Sequence, residues 1–224
     1  MILTTHTPLY RYDLKEPPTQ WSVDFHEYNY GDRGYKNIIG ALFFYDNIDD
    51  CIRTCQNEHL FESVGYFTQC QTTRELNLLD IRTECMIRIL DILYENDIDV
   101  LIPEISTYSY GDVRPLSVIK HDFEEYLYLV NKQEKTIQES CTQLGLVNKI
   151  SSYIEPQYGN NSFRYLGQLL TDFENGPIFK EKLKIKGFDG YVFYENDSGT
   201  PCVTTYCIFE NTSLSSPNCE KITF

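Results

Sequence analysis

The residues of this chain best suited to chemistry are one acid, two arginines and a set of rings. The acid is Glu195, which closes the stretch Gly187-Phe188-Asp189-Gly190-Tyr191-Val192-Phe193-Tyr194-Glu195. Gly-Phe-Asp-Gly reads as a tight turn, with glycines where φ becomes positive and an aspartate able to bond its own backbone. Tyr191 to Tyr194 is an aromatic and β-branched run suited to a packed strand. Glu195-Asn196-Asp197-Ser198-Gly199 then ends that strand. A carboxylate at the rim of a rigid sheet is fixed by the scaffold and still open to a substrate. The same residue also reads as a solvated acid in a hairpin loop.

The first arginine, Arg11, lies among Leu9, Tyr10, Tyr12 and Leu14. An arginine in an apolar strand faces solvent by alternation or forks onto a phosphate or carboxylate. The second, Arg33, stands in Gly31-Asp32-Arg33-Gly34. Glycines there let backbone and guanidinium approach a pyrophosphate closely. Phe43-Phe44-Tyr45, with Phe188 and Tyr191, can sandwich a planar heterocycle. Together these suit a dinucleotide with a flat leaving group. Taken singly they are an edge arginine, a surface arginine and core aromatics. His26 is a lone loop histidine that can assist or simply face water.

The elements that must position these residues belong to a chain of 224 residues, long enough for one large domain with a substantial core. Its net charge is −14. That argues against a nonspecific nucleic-acid backbone or anionic-membrane surface. It leaves room for a small anion in a local arginine pocket. The 18 tyrosines against one tryptophan point to half-buried rings with wet hydroxyls, as in clefts. The eight cysteines, at 51, 55, 70, 85, 141, 202, 207 and 219, form no Cys-x-x-Cys pair and no zinc spacing with histidine. They read as reduced, mostly core residues of a cytoplasmic protein. No metal is expected. No signal-peptide pattern and no membrane-spanning apolar run is present in the sequence as written.

Periodicity places a strand at Pro8–Tyr12, a long loop or lid over Lys15–Tyr35, and a buried strand over Ile38–Tyr45. Asn47 reads as the N-cap of a helix to about Glu58, with Asp49 and Asp50 in its first turn. Strands follow at Val64–Thr72 and Leu76–Asp80, the latter ending at an aspartate able to cap a helix from Ile81 to about Asn96. Asp97–Ile105 carries a short apolar run and Ser106–Pro115 reads as loop. His121–Leu144 reads as a second helical region and Phe163–Phe173 as an amphipathic helix. Gly176-Pro177 stops that helix, and a shorter one runs through Leu183. Strands at Gly190–Tyr194 and Val203–Phe209 and a segment near Ile222 close the chain. Interleaving without βαβ regularity gives an α+β fold.

The joint order of these motifs resembles the RES domain, a branch of the ADP-ribosyltransferase superfamily. It runs Leu9-Tyr10-Arg11, the Gly-Asp-Arg-Gly loop, an apolar strand with a capped helix, and Phe163-Arg164-Tyr165-Leu166-Gly167-Gln168-Leu169-Leu170. Gly187-Phe188-Asp189-Gly190 and Thr205-Tyr206-Cys207-Ile208-Phe209-Glu210-Asn211 complete it.

The resemblance implies a split mixed sheet with flanking helices over residues 1–224, and an inserted helical segment at about 106–152. It implies NAD as substrate, consumed by cleavage of its nicotinamide–ribose bond, with ADP-ribose passed to a macromolecule or to water. The family's residues fall on Arg11 for phosphate or ribose, with Tyr12 beside it, and on Arg33 in the loop. Phe43 takes the place of a tyrosine that stacks on nicotinamide, and Gly40, Phe44 and Tyr45 line the same cleft. A family serine falls at Glu195, which makes Glu195 the candidate catalytic acid with Arg11 and Phe43. The family's helix glutamate falls near Thr54, and the superfamily's strand glutamate at Thr205; neither is an acid here. The chain therefore reads as an active toxin-like enzyme, or as a worn NAD- or ADP-ribose-binding module. The partners so implied are a protein acceptor and a neutralising antitoxin or immunity protein. Export without a classical signal peptide is the alternative to a cytoplasmic location. An unrelated interaction protein with a Tyr-rich surface is the third reading.

Overall fold

The computed structural model describes residues 1–13, 19–23, 27–28, 35–36, 39–58, 64–82, 86–99, 101–103, 113–132, 136–152, 176–195 and 203–223. It is an α+β protein that divides into two compact units, Met1–Arg82 with Gly167–Phe224, and Thr83–Leu166. The second unit begins before the expected insertion at 106–152 and contains it.

The first unit is built on a mixed sheet of eight strands. They are β1 (Ile2–Leu3), β2 (Pro8–Asp13), β5 (Leu42–Tyr45), β6 (Val64–Gln71), β7 (Leu76–Asp80), β10 (Gly190–Glu195), β11 (Val203–Ile208) and β12 (Asn218–Thr223). Their order is β1-β7-β10-β11-β5-β2-β6-β12. Only β7 and β10 pair in parallel; the other neighbours are antiparallel. β2 and β5 meet at a single partner pair, Tyr10 with Tyr45, whereas β2 and β6 share six. The sheet thus has a five-stranded wing and a three-stranded wing joined at one point. A separate pair, β3 (Glu27–Tyr28) with β4 (Tyr35–Lys36), lies within the expected loop.

Strand alternation gives the sheet two unlike faces. One carries Leu9, Leu42, Phe44, Leu76, Leu78, Val192, Tyr206 and Ile208, packed with Trp21. The other carries Tyr10, Tyr12, Tyr45, Phe67 and Val203, packed against Cys51 and Cys55 of helix α1 (Ile48–Glu58). Helix α5 (Gly176–Ile185) lies on this second face too, with the Phe179 ring 5.2 Å from Tyr191 and tilted by 56°. This second face is called the helix face below. Burying an aromatic side chain of this size fully is worth about 1.5–3 kcal/mol, and Tyr191 and Phe179 are both fully buried.

Local chemistry fixes where these elements begin. The Asn47 side chain accepts the Asp50 N–H at 2.7 Å, the N-cap expected from sequence. Gly40 has φ +62°, so the expected strand from Ile38 breaks there and β5 starts at Leu42. Gly176-Pro177 opens α5, because proline at the start of a helix forfeits no bond. Gly187 turns at φ +81°. Asp189, expected to bond its own turn, bonds across the sheet: it accepts the Asn77 N–H at 2.8 Å and Arg74 Nη2 at 2.7 Å. It thereby pins the start of β10 to β7. A Cβ on Gly190 would lie 2.0 Å from the Cys207 carbonyl oxygen, so only glycine fits against β11. The segment near Ile222 is a full six-residue edge strand.

The second unit holds helices α2 (Met86–Glu95), α3 (Leu116–Asn131) and α4 (Ile137–Ser152), and the pair β8 (Leu101–Pro103) with β9 (Val113–Pro115). β9 falls where a loop was expected. His121–Leu144 is two helices and not one. Thr136 starts the second through a capping box: its hydroxyl accepts the Glu139 N–H at 3.1 Å, and Glu139 Oε2 accepts the Thr136 N–H at 2.7 Å. The helix expected to start at Ile81 begins at Met86 among the described residues. The Asp80 carboxylate instead accepts the N–H of Arg82 at 3.1 Å. The expected helix at Phe163–Phe173 lies outside the described residues.

Candidate functional site

Glu195 ends β10 on the helix face, where β11 supplies its partner. Thr205 Oγ1 donates to Glu195 Oε2 at 2.9 Å. Thr205 is 1% exposed, so the donor is fixed while Glu195 stays half-buried. Thr205 is the Cα partner of both Phe193 and Tyr45. Tyr45 in turn is the partner of Tyr10 and stacks on Tyr12 at 6.0 Å and 10°. Phe43 is half-buried two residues from Tyr45 on the same face, edge-on to Phe193 at 6.4 Å. The sequence-derived residues Glu195, Phe43, Tyr45 and Tyr12 therefore share one face across four neighbouring strands.

Arg11 and Phe44 do not share it. Alternation puts Arg11 with Leu9, opposite Tyr10 and Tyr12. Its guanidinium forks onto Asp13: Nε lies 3.1 Å from both carboxylate oxygens and Nη2 lies 2.8 Å from Oδ1. Asp13 is buried and the Arg11 side chain is 12% exposed, so the pair is largely shielded from water. Phe44 is fully buried and edge-on to Trp21 at 5.3 Å, which makes it a core ring of the opposite face. Gly40 sits at the foot of β5, where Lys180 Nζ donates to its carbonyl at 2.5 Å. Arg33 and His26 lie outside the described residues.

Both acids act on the thiol of Cys51 in α1. Burial pushes that thiol up first, Cys55 next, then Asp13 and Glu195, while Arg11 pulls it down. Asp13, Arg11 and Glu195 all lie near enough to Cys51 to act on it. Thr54, at the position of the family's helix glutamate, is fully buried. Among the described residues its hydroxyl has no hydrogen-bond partner.

A groove of about 320 Å³ lies along the smaller wing, lined by Pro8, Gln69, Cys70, Gln71, Ser215, Ser216 and Asn218. It includes none of the residues above. Among the described residues no group of three His, Cys, Asp or Glu side chains is arranged to hold a metal. Also among them, no helix is long and apolar enough to cross a membrane.

Sequence reasoning missed two partners, Asp13 for Arg11 and Thr205 for Glu195. The first had a signal: Arg-x-Asp on a strand puts both side chains on one face. Asp80-Ile81-Arg82 carries the same spacing, and Arg82 Nε and Nη2 fork onto Asp80 at 3.0 and 2.8 Å. The second pair depends on strand register, which no local pattern carries.

Fold and site together define an α+β protein with a mixed eight-stranded sheet and a carboxylate mounted at its rim beside half-buried rings. The chain matches no protein-family model, no curated protein and no solved structure.

Proposed function

We propose that the chain is an NAD-consuming enzyme of ADP-ribosyltransferase-like split-sheet type. It cleaves the nicotinamide–ribose bond and passes ADP-ribose to a macromolecular acceptor or to water. The observation that carries this reading is the Glu195–Thr205 hydrogen bond on the ring-bearing face. The resemblance places the superfamily's strand glutamate at Thr205, and the acid of this chain reaches that position from the neighbouring strand. The single joint between the two wings also suits a split sheet.

In this reading the substrate ribose lies against Glu195. Stretching the glycosidic bond gives an oxocarbenium-like sugar, which a nearby carboxylate stabilises. Thr205 donates to that carboxylate and fixes it at the strand end, facing the cation and the 2′-hydroxyl. Phe43 clamps the departing nicotinamide ring. With water as acceptor, the C1′–N bond breaks, a C1′–O bond forms, neutral nicotinamide leaves, and one proton is released. In this reading Arg33 holds the pyrophosphate, while Arg11 stays with Asp13 on the other face. Such activity in the cytoplasm calls for a neutralising antitoxin or immunity protein, or for export.

One observation favours a second reading, a degenerate NAD- or ADP-ribose-binding module. Arg11 is already engaged by a carboxylate, on the face away from Glu195. The deciding experiment is nicotinamide release from NAD by the purified chain, beside Glu195→Gln. Gln keeps the Thr205 contact and removes the charge, so release is expected to fall about 10²–10³-fold with the fold intact. Equal release by the variant moves the acid elsewhere. NAD binding without release selects the module, and absence of binding selects the interaction protein.

A further inference from the structure

Helix α5 turns a basic and partly apolar side to solvent. Gly176, Phe179 and Leu183 are its buried residues. Ile178, Lys182 and Ile185 follow one another at i, i+4 and i+7, so they form a stripe on the outward side, with Lys186 beside it. Ile178 is 43% exposed and Ile185 77% exposed. The end of the helix is locked. The Phe188 N–H donates to the Leu183 carbonyl at 3.0 Å and the Gly187 N–H to the Lys184 carbonyl at 3.0 Å, with Gly187 in the left-handed region. A formed helical turn therefore holds Ile185 out in water.

Positions 176–186 carry four lysines, Lys180, Lys182, Lys184 and Lys186, against one acid, Glu181, in a chain of net charge −14. Two acids near the helix end are already engaged: Asp189 with Arg74 at 2.7 Å and Glu210 with Lys184 at 3.1 Å. Lys182 is exposed and makes no ion pair among the described residues. Lysines at the end of a helix complement its dipole. That accounts for the charges and not for two exposed isoleucines on the same stripe.

We propose that this stripe of α5 docks an acidic amphipathic helix of a partner protein. The helical rise puts Ile178 and Ile185 about 10 Å apart along the axis, the spacing of two leucines seven residues apart on a facing helix. Carboxylates flanking those leucines meet Lys182 and Lys186. Charge selects this occupant. A lone helix covers only the patch, and charges more than about 8 Å away are screened at physiological salt. An anionic membrane instead faces a whole side of a chain that is acidic overall. A second copy docked through the same patch sets these lysines against their own counterparts. The surface does not involve Glu195, and it does not rest on the proposed function.

The test is fluorescence anisotropy of a labelled helical peptide, built of alanine and glutamate with leucines seven residues apart, titrated with the full chain. Ile185→Ser and Lys182→Glu are run beside wild type; both positions are exposed, and thermal melts check folding. Binding is expected to weaken about tenfold in Ile185→Ser. In Lys182→Glu it is expected to weaken about threefold at 150 mM salt and about tenfold at 20 mM. A peptide with lysine in place of glutamate, or with the leucines spread around the helix, is expected to bind more weakly than the first. No binding by wild type, equal binding by all three proteins, or equal binding of the control peptides overturns the proposal. Tighter binding to phosphatidylserine vesicles than to the peptide, lost in Lys182→Glu, overturns it in favour of a membrane.

Discussion

Asp13 and Thr205 decide what Arg11 and Glu195 are able to do. Removing one member of a buried ion pair leaves the other charge uncompensated, which costs about 3–5 kcal/mol. Asp13→Ala is therefore expected to lose that much stability in urea denaturation, and replacing both residues with apolar ones to lose much less. A loss from Asp13→Ala no larger than that of a surface substitution would show that Arg11 relies on other partners. At this scale the sequence was half legible. Residue types and the i, i+2 spacing of Arg11 and Asp13 are local facts. That Thr205 lies beside Glu195 follows from β10–β11 register, which no local pattern carries.

Elements were more legible than their partners because caps and glycines act within a few residues. Asn47 announced α1, and the turn before β10 announced that strand. Gly190→Ala is expected to cost at least about 3 kcal/mol or to prevent folding, since backbone stands where the methyl would go. A melting temperature near wild type would mean the strands can separate there. The break between α3 and α4 was missed because Thr136-x-x-Glu139 sits inside a stretch whose apolar spacing continues through it. Hydrogen bonds from Lys132 and from the Thr136 backbone hold the Glu139 carboxyl down at about 2. A depressed folded value means its contribution is complete above the ordinary glutamate range and is lost as pH falls toward about 2. Amide protection at Thr136 and Glu139, taken relative to the free-chain exchange rate at each pH, is therefore expected to fall over that window, ahead of the rest of α4. In Glu139→Gln this pH-dependent fall should vanish.

At the scale of the molecule, the interleaving of strands and helices made the fold class readable and left the sheet order hidden. That β7 neighbours β10, and that β2 serves both wings, are long-range pairings which hydrophobic pattern does not encode. The net charge of −14 has its own consequence. NAD is an anion, so at low ionic strength the protein repels it. Under the proposed function kcat/KM for NAD is expected to rise as salt increases from about 10 mM toward 150 mM, where charges more than about 8 Å apart are screened. A fall over that range would mean that local arginines set the field at the cleft.

The cysteines carry a last consequence. Among the described cysteines, Cys51, Cys55, Cys70 and Cys207 are buried, whereas Cys141 and Cys219 are exposed. Burial raises the thiols of Cys51 and Cys207 and pushes Cys70 up to about 12. These four lie on both faces of the sheet, and thiolate is the form that alkylates. The chain therefore carries its own unfolding clock: a brief pulse of alkylating reagent marks Cys141 and Cys219 at once. Each of the other four takes up label only when its side of the sheet opens. The order in which Cys70, on the smaller wing, and Cys207, on the larger, acquire mass would date the parting of the two wings.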